Sequence, residues 1–192
     1  MTSDPKSSEP PSPAEPAHGR LTRPLVLVGL MGVGKSTIGR RLANRLGLPF
    51  RDADHEAEEA AGMTVSEIFE RFGEAHFRDG ERRVIARLID GPVSVIATGG
   101  GAFVDPATRA LILERATAIW LNADIATLVD RVSRRDTRPL LRDKDPAQVL
   151  QALAEARTPF YAEAPIHIMS RQEPHETTVD AIITALKSRG LL

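Results

Sequence analysis

The 192-residue chain has no cysteine. That excludes disulfides, thiolate metal sites and a thiol nucleophile, and it is compatible with a reducing cytoplasm. Any metal must therefore sit on oxygen ligands or histidine. Neither sign of charge is in excess: 25 Lys and Arg stand against 26 Asp and Glu, mixed along the chain. No net field recruits nucleic acid or an acidic membrane, so small-molecule partners are expected, with no nucleic acid and no membrane among them. No apolar run approaches the length needed to span a bilayer. Aromatic residues are scarce, and the one tryptophan, Trp120, lies in an apolar run that suits a core position better than a base-stacking platform. Met1 to Pro24 lacks any apolar repeat; Pro5, Pro10, Pro11, Pro13 and Pro16 alternate with Ser, Glu and Ala, the composition of a disordered tail. This stretch also lacks the apolar core of a secretory signal, and Asp4, Glu9 and Glu15 do not suit a transit peptide. A cytoplasmic protein is expected.

What is present is organised around Gly29-Leu30-Met31-Gly32-Val33-Gly34-Lys35-Ser36. The apolar run Leu25 to Val28 feeds into it and the amphipathic run Thr37 to Leu46 leaves it, which is the context a phosphate-binding loop requires. The spacing G-x-x-x-x-G-K-S lets the backbone bend with its amides turned inward onto phosphate oxygens. Gly32, Val33, Gly34, Lys35, Ser36 and Thr37 are the candidate nucleotide contacts. Lys35 can lie along the β- and γ-phosphates, the Ser36 hydroxyl can reach Mg²⁺, and the positive end of the next helix adds to the attraction.

Further along, Leu48 to Phe50 reads as a short extended piece ending at Asp52-Ala53-Asp54, and a helical pattern starts at His55 and breaks at Gly62. Thr64-Val65-Ser66-Glu67 restarts it with a capping box, placing Ile68, Phe69 and Phe72 in the core. Gly73 interrupts, and Glu74 to Asp90 continues as a helix with Phe77, Val84, Ile85 and Leu88 at helical spacing. Val93 to Thr98 is a strand running into Gly99-Gly100-Gly101, which is not ordinary turn chemistry. Asp105-Pro106 opens a helix through Glu114, Ala118 to Leu121 is a buried strand, and Asp124 caps a helix to about Ser133. Residues 133–145 are dense in charge around Leu140-Leu141 and read as a mobile lid. Pro146 opens a helix through Tyr161, Ile166 to Met169 is the fifth strand, and Thr177 to Lys187 is the last helix. This alternation indicates an α/β fold with a five-stranded parallel sheet between two helical layers, and one domain over 25–192. The phosphate loop, Asp52-Ala53-Asp54 and the three glycines should then converge at the C-terminal edge of the sheet.

Several phosphate-loop classes are excluded by what is missing. Neither D-x-x-G nor N-K-x-D, the guanine-nucleotide strings, occurs in the chain, and the strand from Val93 ends in Thr98 and glycines where a Walker B acid would stand. The acid available to hold Mg²⁺ waters is instead in Asp52-Ala53-Asp54. Taken alone, these aspartates also suit a helix cap, Arg78 suits an ion pair with Glu74, and Arg157 suits packing on Tyr161.

The chain from Leu25 onward resembles the shikimate kinases. The resemblance rests on Ser36-Thr37-Ile38-Gly39, Asp52-Ala53-Asp54 and Phe77-Arg78, and continues through Thr98-Gly99-Gly100-Gly101-Ala102, Arg138-Pro139-Leu140-Leu141 and Arg157-Thr158-Pro159-Phe160-Tyr161. It implies a P-loop kinase fold related to the nucleoside monophosphate kinases, and ATP- and Mg²⁺-dependent phosphorylation of the 3-hydroxyl of shikimate on the way to chorismate. It further implies that Asp54 binds acceptor hydroxyls and takes the proton of the attacking oxygen, with Asp52 near Mg²⁺. Arg78 and Arg157 would hold the acceptor carboxylate, a task suited to a guanidinium fork. Gly99, Gly100 and Gly101 would lie against the acceptor, Arg138 would close over the phosphates, and Arg131 would lie near the adenine. A monomer is expected. Gluconate kinase and other small-metabolite kinases share the loop, but an acceptor without a carboxylate would leave Arg78 and Arg157 without a partner. A non-catalytic sensor would be expected to lose Lys35, Asp54 or Arg138, and all three are present.

Overall fold

The computed structural model of the chain describes residues 21–133 and 145–192. Residues 1–20 of the expected tail and 134–144 of the expected lid, Arg138 included, lie outside the described residues. Short apolar runs stopped by glycine, proline or polar clusters form five strands: β1 (Leu25–Val28), β2 (Phe50–Asp52), β3 (Val95–Ala97), β4 (Thr117–Asn122) and β5 (Ile166–Met169). They pair in parallel in the order β2-β3-β1-β4-β5. All four residues of the central β1 are buried, as they must be in a strand covered on both faces. At the sheet edge β5 alternates instead, with Ile166 and Ile168 buried and His167 and Met169 exposed. Trp120 on β4 is buried, between the ring of Tyr161 and the edge of His167.

The helices are α1 (Lys35–Leu46), α2 (Ala53–Ala61), α3 (Val65–Asp90), α4 (Pro106–Arg115), α5 (Ile125–Ser133), α6 (Pro146–Tyr161) and α7 (His175–Ser188). Helix α1 packs beside α7, and α3 beside α4. The starts of α3, α4 and α5 follow the sequence signals. Thr64 and Glu67 exchange both bonds of the capping box. Asp105 accepts from the Thr108 amide at 2.8 Å ahead of Pro106, and Asp124 accepts from the Thr127 amide at 2.7 Å.

Three of the differences from the pattern reading trace to glycine. Helix α1 begins at Lys35 rather than Thr37, because Gly34, with φ 99°, turns the chain directly into the helix. Gly73, with φ 81°, bends α3 without ending it. Phe72 is 51% exposed rather than core: it is the last residue before that bend, and its ring lies on His76 instead of on the sheet. With all strands parallel, the turns after β1, β2 and β3 open on one edge.

Candidate active site

The first of these turns is built by glycine. Met31 and Gly32 to Thr37 form one wall of a cleft of about 930 Å³, except for Val33, whose side chain is buried. The Lys35 Nζ donates to the carbonyls of Gly29 and Leu30 at 2.8 and 2.9 Å, which holds the ammonium over the loop. The Ser36 hydroxyl donates to Asp52 Oδ2 at 2.7 Å. Asp52 thus joins the end of β2 to the first turn of α1. It occupies the N-cap position of α2 but makes no capping bond, so its carboxylate is engaged by the phosphate loop and not by its own helix.

The turn after β3 makes room. Thr98 pins it, donating its amide and its hydroxyl to the Leu27 carbonyl. A Cβ on Gly99 would stand 2.6 Å from Asp54 Oδ1 and 3.0 Å from Glu81 Oε1; one on Gly100 would stand 3.3 Å from Arg157 Nη1; one on Gly101 would stand 2.2 Å from Arg78 Nη2. None of the three has positive φ. What they supply is space for four charged side chains against bare backbone.

Those four side chains set the electrostatics at this end. Arg78 donates to Glu81 Oε2 at 2.7 Å and to Glu74 Oε1 at 3.3 Å. The Glu74 pair is the one its spacing suggested; Glu81, 1% exposed, is an additional partner. Burial alone would lower the Arg78 pKa, but Glu81 and Glu74 raise it. Burial pushes the Glu81 carboxyl up to about 6, against the pull of Arg78, and its Oε1 has no hydrogen-bond partner among the described residues. Asp54 is also raised, by burial first and by Asp52 second, with Lys35 opposing. A carboxylate held above its ordinary value is better matched to taking a proton near neutral pH.

At the opposite end Arg131, on α5, donates to the Val33 carbonyl and the Ser170 hydroxyl at 3.0 Å and to the Arg171 carbonyl at 2.6 Å. It ties the phosphate loop to the connection between β5 and α7. Gln172, Glu173 and His175 complete this wall. Among the expected site residues within the described chain, all but Val33 line this cleft, and the Val33 carbonyl accepts from Arg131, which does.

The sequence reading missed Glu81, Thr98 and His175, which line the cleft. Glu81 carried a signal: it falls on the apolar stripe Phe77, Val84, Ile85, Leu88 at helical spacing, where a charge is out of place. Phe69, expected in the core, is half-buried and lines the cleft beside Phe77, with ring centroids 4.7 Å apart.

Comparison with known proteins adds to this geometry. A family profile described as shikimate kinase matches residues 31–187. A relative from Caulobacter vibrioides (strain NA1000 / CB15N), named shikimate kinase, is 64% identical over 163 residues, covering 85% of this chain and 82% of its own length. One from Novosphingobium aromaticivorans with the same name is 57% identical over 171 residues, covering 87% and 89%. Among solved structures, shikimate kinase from Acinetobacter baumannii in complex with shikimate superposes with a TM-score of 0.84 at 36% identity, covering 90% of this chain and 97% of that one.

Proposed function

The chain belongs to the shikimate kinase family, and on that premise we propose how its residues divide the transfer of a phosphoryl group from ATP to the 3-hydroxyl of shikimate. In our reading the cleft has a nucleotide end and an acceptor end. Backbone amides from Gly32 to Thr37 cradle the phosphates, Lys35 neutralises them, and Arg131 borders the adenine. Arg78 and Arg157 hold the acceptor carboxylate, Gly99 to Gly101 let the ring approach the backbone, and Asp54 orients the attacking hydroxyl and takes its proton. The observation that carries this division is the glycine turn, where two acids, Asp54 and Glu81, and two arginines, Arg78 and Arg157, lie against bare backbone. Positioning and positive charge are most of what phosphoryl transfer asks of a protein. Arg138, outside the described residues, keeps its assignment over the transferring group on the resemblance alone.

Mg²⁺ fits the Ser36 and Asp52 pair. Both donors are oxygens in contact beside the phosphate loop, and Mg²⁺ favours one or two protein oxygens completed by water and phosphate. Among the described residues, no group of three or more His, Cys, Asp or Glu could hold a metal without such help. We assign Ser36 as a ligand and Asp52 as a partner through water; the ion, when bound, neutralises charge between the phosphates.

No helix among the described residues is long and apolar enough to cross a membrane. A cysteine-free chain that consumes ATP suits the cytoplasm. Asp54→Asn tests the assignment at the centre: turnover should fall by roughly 10²- to 10⁴-fold, the range of a general base, while ATP binding stays near wild type. Normal turnover in that variant would remove Asp54 from the chemistry.

A further inference from the structure

We propose that Tyr161 is a positioning residue for the acceptor: its hydroxyl locks the Gly100 carbonyl and the Arg157 guanidinium into one arrangement. The proposal rests on reading Arg157 and the glycine turn as acceptor contacts. Tyr161 is the last residue of α6, one helical turn after Arg157 and so on the same face. It is 1% exposed, and a buried phenol oxygen needs a partner. That partner is the Gly100 carbonyl, on the turn that lies against Arg157. Arg157 also acts on the phenol by charge and by hydrogen bonding, although burial dominates and raises the Tyr161 pKa.

Two further observations separate this role from packing. The Tyr161 ring is stacked on Trp120 with centroids 6.1 Å apart, so the core fixes the ring whether or not the hydroxyl is present. The far end of the turn has its own tether: Arg109 Nη1 donates to the carbonyls of Phe103 and Val104 at 3.1 and 2.9 Å, and its Nε donates to Glu163 at 3.1 Å just beyond α6. Removing the hydroxyl therefore leaves the turn attached to α6 and frees only the end beside Arg157.

The test is Tyr161→Phe in the full chain, with shikimate and ATP kinetics and calorimetric titration of shikimate. KM and the dissociation constant for shikimate should each rise roughly tenfold, the scale of one hydrogen bond at a charged group. The kcat should stay within about twofold, the ATP KM should not move, and the melting temperature should change little. On an Arg157→Ala background the same substitution should add almost nothing, because both act at one contact. An unchanged shikimate KM, an equal rise in the ATP KM, full additivity with Arg157→Ala, or loss of the fold would each overturn the proposal. Arg157→Ala alone keeps the two readings apart. If it leaves shikimate binding intact, the assignment of Arg157 is wrong; if it weakens shikimate while Tyr161→Phe does not, only the role of Tyr161 fails.

Discussion

A methyl group added at Gly101 would come within 2.2 Å of Arg78 Nη2, the free end of a flexible side chain, so the guanidinium would move and the backbone would not. Gly101→Ala should therefore fold normally and raise the shikimate KM by roughly 10- to 100-fold, the loss of hydrogen bonds to a charged group, with the ATP KM unchanged; paired kinetics check this. Glu81 gives a prediction of the opposite kind, in stability. Its carboxyl sits at about 6 in the folded chain against an ordinary 4.5, so the folded state holds more protons than the unfolded one between those values. Stability contributed at this site is present below pH 4.5 and is lost as pH rises through 6. Relative to Glu81→Gln, the wild type should lose about 2 kcal/mol across that window, read from urea unfolding at each pH. These two residues also show what the sequence could display. Gly101 was legible because consecutive glycines after a strand have no conformational purpose there and so imply crowding. Glu81 was less so, because a charge in Arg78-Asp79-Gly80-Glu81-Arg82-Arg83 looks solvated until it is placed on the apolar stripe.

Helix starts follow local chemistry, and the cap of α4 allows a prediction at the scale of one element. Asp105 holds the Thr108 amide directly after the glycine turn. Burial would raise its carboxyl, but the bonds from Thr108 and the nearby Arg82 and Arg78 outweigh it and lower the pKa below 3.8. The stability contributed by the cap is therefore full above 3.8 and lost as pH falls through the folded value. Asp105→Ala should cost about 1 kcal/mol at neutral pH, measured by chemical unfolding, and the difference from wild type should shrink in acid. The strands and the starts of α3, α4, α5 and α6 were readable because apolar runs bounded by glycine and proline, and caps before apolar periodicity, are local features. Phe72 was not, because periodicity assumes a straight helix, and the bend at Gly73 separates its segment from the one that buries Phe77.

Across the whole molecule, the parallel sheet brings turns distant in sequence to one edge, and the resulting cleft has two ends that make separable demands. We read Lys35, Ser36, Asp52 and Arg131 at one and Asp54, Arg78, Glu81 and Arg157 at the other, all lining the same cleft. Ligand-induced stabilisation should separate in the same way. At about 100 times its dissociation constant, either ligand should stabilise the wild type by about 2.7 kcal/mol. Lys35→Ala should abolish the thermal shift with ATP and keep that with shikimate, and Arg157→Ala should do the reverse. The convergence of the three turns was legible in the sequence, because right-handed crossovers put the C-terminal ends of parallel strands on one edge. The bracing of that edge by Tyr161, Arg109 and Arg131 was not, since each acts through a backbone carbonyl from a different part of the chain.

The most direct test is ADP release by the purified chain with ATP and Mg²⁺, comparing shikimate, its methyl ester, gluconate and no acceptor. The account predicts release with shikimate, at least ~100-fold less kcat/KM with the ester because Arg78 and Arg157 lose their anionic partner, and background release otherwise. Release that is as fast with the ester as with shikimate would contradict the arginine clamp, and release that ignores the acceptor or prefers gluconate would contradict the account as a whole.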